Sequence, residues 1–167
     1  TRYKSSKGVE DDKNNNKPTW IEFITTSLDN TVATQAVQRG SVLAKGVYLS
    51  KDIVNAPHNS LNSYGLAATA KQIAAQSHGR LSCHILETDE IEKRGMGAFL
   101  GVARGSETYP KLIHLTYKPK KRGTKKNPLK KLGVVGKGVL FDTGGYNIKT
   151  MQMDLMKFDC GGAAAVL

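Results

Sequence analysis

Lys137, Asp142, Lys149 and Asp159 fall close together near the end of the sequence, in the run VGKGVLFDTGGYNIKTMQMDLMKFDCGGAAA. Asp142 precedes Gly144 and Gly145 by one residue, and Asp159 stands in the same relation to Gly161 and Gly162. A carboxylate at the start of a glycine-rich turn suits a ligand to divalent cations. Its oxygens are hard donors, and glycine permits a tight turn while leaving room beside the ions. Lys137, between two glycines, can ligate a metal only as the neutral amine, a form that partial burial and a nearby dication both favour. Lys149 suits a charged role, polarising a substrate carbonyl and stabilising the oxyanion that forms on attack.

Rival readings of the glycines fail on spacing. A phosphate loop needs G-x-x-x-x-G-K-[ST], whereas Lys137 is followed by Gly138; the Gly-x-Gly-x-x-Gly dinucleotide fingerprint is also absent there. A lone Asp-x-Gly-Gly would be a plain turn. The joint occurrence of GKG, FDTGGYNIK and MKFDCGG in so short a stretch is far more specific than any one of them.

The elements that must position these residues read as follows. Residues 1–18 are polar and lysine-rich and read as a linker or tail. Residues 20–25 are β-prone. A helix begins near Asp29, with Val32, Ala36, Leu43, Val47 and Val54 at three- and four-residue steps, and Pro57 ends it. A second helix starts at Asn62 or Ser63 and stops at Gly79, with Leu66, Ala70, Ile73 and Ala74 on one face. Residues 81–86 form a strand, and Asp89 with Glu92 resembles a capping arrangement for a short helix stopping at Gly95. Residues 95–106 read as a loop, and 111–117 and 132–135 as strands. Alternating strands and helices point to an α/β layered fold with a largely parallel or mixed sheet.

Taken together, these motifs resemble the leucyl (cytosol) aminopeptidase family, whose signature is close to VGKGxTFDSGGYxxK followed by LMKxDMGGAAA. Upstream, Asp52-Ile-Val-Asn-Ala-Pro57 and Gly95-Met-Gly-Ala-Phe-Leu-Gly-Val-Ala-Arg-Gly-Ser106 are similar to two further family stretches. Thr143 replaces the usual Ser and Cys160 the usual Met, both beside the key residues rather than among them. The resemblance implies that Lys137, Asp142 and Asp159 are metal ligands and Lys149 the catalytic lysine. It implies two divalent ions, Mn²⁺ or Zn²⁺ with Mg²⁺ as a further option, and a bicarbonate general base. The activity implied is release of N-terminal amino acids from peptides with a free N-terminus, through a two-metal-activated water. It further implies a three-layer α/β/α catalytic domain with a mixed sheet, a homohexameric parent, and a cytoplasmic or organellar setting.

On this reading, residues 19–57 enter the catalytic domain and 58–167 are its N-terminal portion, truncated at the C-terminal side. The family's second acidic motif, Asn-Thr-Asp-Ala-Glu-Gly-Arg, is absent. Two carboxylates cannot hold both cations, so the 167 residues alone are expected to be inactive. A non-catalytic truncated homologue is one alternative.

Charge suggests another. The formal net charge is +11, and eight basic residues fall within 118–131 without an acid, which a nucleic-acid-binding protein could use against phosphates. No aromatic interleaving or nucleic-acid module accompanies them, so a solvated loop is favoured. Glu87, Asp89, Glu90, Glu92 and Asp154 read as surface or capping acids, and His58, His78, His84 and His114 as structural or solvent-facing. Cys83 and Cys160 have no metal-ligand spacing and no disulfide framework. No apolar run approaches the roughly 18 residues of a membrane span.

Overall fold

A computed structural model of the chain describes residues 20–26, 29–120, 123 and 128–167. The tail assigned to 1–18 lies outside the described residues, as do residues 121, 122 and 124–127 of the basic segment 118–131. Helix α1 (Asn30–Asn55) starts where the sequence places it, because the Asp29 carboxylate accepts the Thr31 N–H at 2.7 Å and so satisfies one of the free amide donors of the first turn. It runs through Gly40 and Gly46 and ends at Ala56, the residue before Pro57. Only its last two turns face the interior. Ile53 is buried and Leu49 and Val54 pack beside it, whereas Val32, Leu43 and Val47 of the expected apolar face are exposed.

Asn62 caps α2 (Ser63–Gln76), accepting the Tyr64 and Gly65 N–H groups at 3.1 Å each. Leu66, Ala67 and Ala70 of this helix are buried. Strands β1 (Leu81–Leu86) and β2 (Leu112–Tyr117) pair antiparallel, with Leu81 opposite Tyr117 and His84 opposite His114. Helix α2 packs against this pair. Between the strands lie two short helices, α3 (Thr88–Lys93) and α4 (Gly97–Ala103).

Three local expectations give way here. The N-cap of α3 is Glu87, not Asp89; Asp89 lies in the first turn, where its charge suits the positive end of the helix dipole. Residues 97–103 form a helix rather than a loop, since glycine lowers helix propensity without forbidding helix. Residues 20–25 and 132–135 join no strand among the described residues, where the sheet consists of β1 and β2 alone. A β-prone run sets an extended backbone but needs a partner before it becomes a strand.

The C-terminal segment closes the core. A 3₁₀ turn (Asp154–Phe158) leads into α5 (Gly161–Val166), which lies along α1. Cys160 and Ala164 join Ile53 and Leu66 in one buried cluster, with Leu61, Ile113, Leu140 and Leu167 packed around it. Two polar ties fix this arrangement: Ser50 Oγ donates to the Ala164 carbonyl at 2.9 Å, and Lys157 Nζ to the Val54 carbonyl at 2.6 Å. The second satisfies a carbonyl in the last turn of α1, where a cation also suits the helix dipole.

Candidate functional site

Lys137, Asp142, Lys149 and Asp159 form two ion pairs. Lys137 Nζ donates to Asp159 Oδ2 at 2.7 Å, and Lys149 Nζ to Asp142 Oδ2 at 2.8 Å. All four side chains keep some contact with solvent. The backbone arranges the two pairs by different means.

The Lys137–Asp159 pair depends on a close crossing of two chain segments. The Lys137 carbonyl accepts the Ala163 N–H at 2.8 Å, which ties the GKG segment to the first turn of α5. The approach is so tight that a Cβ at position 136 would stand 2.4 Å from the Gly162 carbonyl oxygen and 2.7 Å from Ala163 Cα. Only glycine fits at 136, so this glycine serves a backbone-to-backbone contact and not a phosphate. Asp159 lies between the 3₁₀ turn and Cys160, the N-cap residue of α5. The two glycines after it therefore begin a helix; they do not repeat the turn that follows Asp142.

The Asp142–Lys149 pair is local. Asp142 Oδ1 accepts the Gly144 N–H at 2.9 Å, folding the carboxylate over its own backbone, and the Lys149 N–H reaches the Thr143 carbonyl at 2.9 Å. Gly144 has φ +92°, in the left-handed region, and a Cβ there would meet the Asn147 carbonyl oxygen at 2.3 Å. This compact loop returns Lys149 to Asp142. The Lys149 ammonium, followed by the Gly144 N–H and the nearby charges of Lys149 and Lys137, holds the Asp142 carboxyl below the usual carboxylate range. Lys137 thus acts on both carboxylates: one by contact, the other through space.

Sequence reasoning missed one neighbour. Met156 places its Sδ 3.0 Å from Lys149 Nζ, so the ammonium rests between a carboxylate and an uncharged thioether. Met156 lies within the LMKFD run that marks the motif, but nothing in its spacing signals a contact with Lys149.

The oxygen donors Asp142 and Asp159 have the chemistry of hard-cation ligands and are open to solvent. Each is neutralised by an ammonium, so the four groups sum to no net charge. Among the described residues, no three His, Cys, Asp or Glu side chains converge as a metal-binding group. The other acids stand apart. Glu90 accepts from Arg94 at 2.6 Å and lies 3.3 Å from His84 Nε2, Glu87 pairs with Lys111, and Asp154 opens the 3₁₀ turn. Lys111 also lies over the Tyr64 ring at 4.6 Å. His58, His78, His84 and His114 are exposed, and Cys83 and Cys160 are free thiols. Lys118, Lys120, Lys130 and Lys131 of the basic segment are exposed. No helix among the described residues is long and apolar enough to cross a membrane.

Comparison with known proteins places these features in context. Residues 48–167 match the model of the cytosol aminopeptidase family, catalytic domain. A probable cytosol aminopeptidase of Gloeobacter violaceus is 42% identical over 99% of the chain, and one of Rippkaea orientalis is 49% identical over 81%. Among solved structures, a mutant of tomato leucine aminopeptidase superposes with a TM-score of 0.66 at 38% identity, covering 80% of the chain, which identifies the fold as α/β. The chain spans 33% of the length of the first relative, 26% of the second and 24% of the tomato chain.

Proposed function

Since the chain belongs to the cytosol aminopeptidase family, we propose that it carries part of the active site of a metal-dependent aminopeptidase acting on peptides with a free N-terminus. Lys137, Asp142 and Asp159 would hold divalent ions, Mn²⁺, Zn²⁺ or Mg²⁺, and Lys149 is the catalytic lysine. The observation that carries this reading is that each carboxylate is ion-paired to a lysine, Asp159 to Lys137 at 2.7 Å and Asp142 to Lys149 at 2.8 Å, with the Lys137 charge also lowering the Asp142 carboxyl.

With ions bound, they would acidify a water and polarise the scissile carbonyl. The chain's own residues have separate tasks. Asp142 and Asp159 supply oxygen donors, and Gly144 orients Asp142 through its N–H. Lys137, which here donates to Asp159, would hold an ion only as the neutral amine, because an ammonium has no lone pair to donate. Lys149, which here donates to Asp142, would donate instead to the oxygen on which negative charge develops if Asp142 were engaged by an ion. Two carboxylates leave a pair of dications under-neutralised, so this chain alone is expected to be inactive. A bicarbonate base and hexameric assembly belong to the same reading of the whole protein.

The test is peptidase activity of a family-length chain carrying these residues, assayed with Mn²⁺ or Zn²⁺. Lys149→Ala should lower kcat by about 10²–10³, as loss of one oxyanion donor does. Equal activity in that variant would overturn the assigned role.

A further inference from the structure

His84 and His114 are far apart in the sequence and adjacent in the fold. They are register partners across the β1–β2 pair, flanked by Cys83 opposite Leu115 and Ile85 opposite Ile113. Directly opposed residues of an antiparallel pair project from one face, with Cβ atoms about 4.5–5.5 Å apart. The alternation along the strands decides which face this is: Ile113 packs against the core and Cys83, Ile85 and Leu115 are half-buried, whereas Ser82, His84, His114 and Thr116 are exposed. Both imidazoles therefore stand on the outer face. Helix α3 packs on β1 and brings Glu90 Oε2 to 3.3 Å from His84 Nε2, while Glu90 Oε1 accepts from Arg94 at 2.6 Å. The bond from Arg94 first, and His84 as well, hold the Glu90 carboxyl below its ordinary range, so it is ionised at neutral pH. An ionised carboxylate only accepts hydrogen bonds. In the neutral imidazole, Nε2 thus carries the proton and Nδ1 keeps the lone pair.

We propose that His84 and His114 chelate one nitrogen-preferring divalent transition ion, of the Cu²⁺ and Zn²⁺ class, with Glu90 as the positioning carboxylate behind His84. Three features support this. Metal–nitrogen distances of about 2.0–2.1 Å let one ion sit between two rings whose Cβ atoms are cross-strand neighbours. A ligating histidine characteristically gives its second N–H to a carboxylate, which fixes the ring and makes the other nitrogen a better donor, and Glu90 stands in that relation to His84. The donors are also of one kind: imidazole suits Cu²⁺ and Zn²⁺, whereas Mg²⁺ and Ca²⁺ favour oxygen. No third His, Cys, Asp or Glu side chain joins them among the described residues, so the ion's remaining positions fall to solvent. The site shares no residue with Lys137, Asp142, Lys149 and Asp159 and does not depend on the roles given to them.

The experiment titrates the 167-residue chain with Cu²⁺, the ion that nitrogen donors bind most tightly in the first-row series. Binding is followed by electron paramagnetic resonance, which counts coordinated imidazole nitrogens, and by paramagnetic loss of histidine ring signals in nuclear magnetic resonance. The expected result is a first equivalent held by two imidazoles, with the His84 and His114 signals lost before those of His58 and His78. His84→Gln and His114→Gln should each weaken this equivalent at least tenfold and leave a single imidazole on the ion. Glu90→Gln should weaken it by about tenfold while both nitrogens stay bound, as loss of an orienting carboxylate does. A joint His58→Gln and His78→Gln variant should bind as the parent does. The ring signals of the unsubstituted chain decide the matter even where a variant fails to fold. Early loss of His58 or His78, coordination by one imidazole or by oxygen alone, or affinity insensitive to either strand histidine overturns the proposal. Unchanged affinity in Glu90→Gln overturns the part given to Glu90. Peptidase activity that survives Lys149→Ala bears on the catalytic assignment alone and leaves the histidine site standing.

Discussion

Replacing Gly136 with alanine tests whether the backbone crossing, and not the charged side chains, organises the site. The added Cβ would lie 2.4 Å from the Gly162 oxygen, 2.6 Å from the Gly162 carbonyl carbon and 2.7 Å from Ala163 Cα. All three are backbone atoms, so no side chain can swing aside. Reaching ordinary van der Waals separation requires the two segments to part by about 1 Å. That opening carries the 2.8 Å bond from Ala163 N–H to the Lys137 carbonyl beyond hydrogen-bonding range. Losing that bond costs about 1 kcal/mol, and the residual strain of overpacking costs about 1–3 kcal/mol, giving roughly 2–4 kcal/mol in all. The Lys137–Asp159 pair adds little to this, since Lys137 is exposed. Urea unfolding followed by circular dichroism measures the effect as a fall in midpoint at unchanged slope. Gly133→Ala is the control: nothing lies within 4 Å of a Cβ there, and its backbone is not left-handed. It should be neutral or stabilise by about 0.4–1 kcal/mol through the unfolded chain. A Gly136→Ala variant within about 0.5 kcal/mol of the parent, the size of an ordinary surface substitution, would refute the idea that this contact sets the geometry.

Three further outcomes follow from the same structure. Asn62→Ala removes the acceptor of two N–H groups at the start of α2 and should cost about 1 kcal/mol in the same unfolding assay; no measurable loss would mean the cap is redundant. Glu90 is held below its ordinary carboxyl range, first by its hydrogen bond from Arg94 and also by His84. Its contribution is therefore present above the unfolded pKa and lost as pH falls through the folded one, so Glu90→Gln should flatten the acid side of a melting-temperature profile, and superimposable profiles would refute this. Cys160 is buried in the core while Cys83 is only partly covered, so a thiol reagent at neutral pH should modify Cys83 first and Cys160 only as fast as the chain opens; equal rates, read by mass spectrometry, would contradict the packing.

How far the sequence carried depended on whether the information was local. Asp29 and Asn62 signal helix starts because a cap needs only the next few amides, and Pro57 signals an end for an equally local reason. Residues 81–86 and 112–117 are strands as expected because each finds the other. Residues 132–135 have the same β-prone chemistry, but among the described residues they pair with neither β1 nor β2, and no propensity supplies a partner. Helix α4 hid behind Gly97 and Gly101, because glycine lowers helix propensity without forbidding a helix. Helix α1 before its last two turns shows the converse: its three- and four-residue apolar spacing marks helix correctly, yet Val32, Leu43 and Val47 face solvent, because periodicity shows which residues share a face and not whether anything covers it. At the candidate site all four residues were legible by type and spacing. Their pairing, and the thioether of Met156 beside Lys149, were not: Lys137 and Asp159 meet across the fold, and the loop path that returns Lys149 to Asp142 and Met156 follows no residue spacing.

The two ion pairs also differ in what would break them. Asp142 and Lys149 sit on one short loop, closed by the Gly144 N–H, the Thr143 carbonyl and a left-handed glycine, all within a few residues. This pair needs little of the surrounding fold. Lys137 and Asp159 meet only because α5 docks on α1 and the GKG segment crosses its first turn, a contact anchored by Ile53, Leu66, Cys160 and Ala164 in the core. Local opening of the C-terminal segment would therefore separate Lys137 from Asp159 while leaving Asp142 with Lys149. Holding all four groups together is a tertiary property, maintained by a few small residues and one backbone hydrogen bond. The stability of this junction, more than the identity of the charged residues, decides whether two carboxylates and two lysines act as one site.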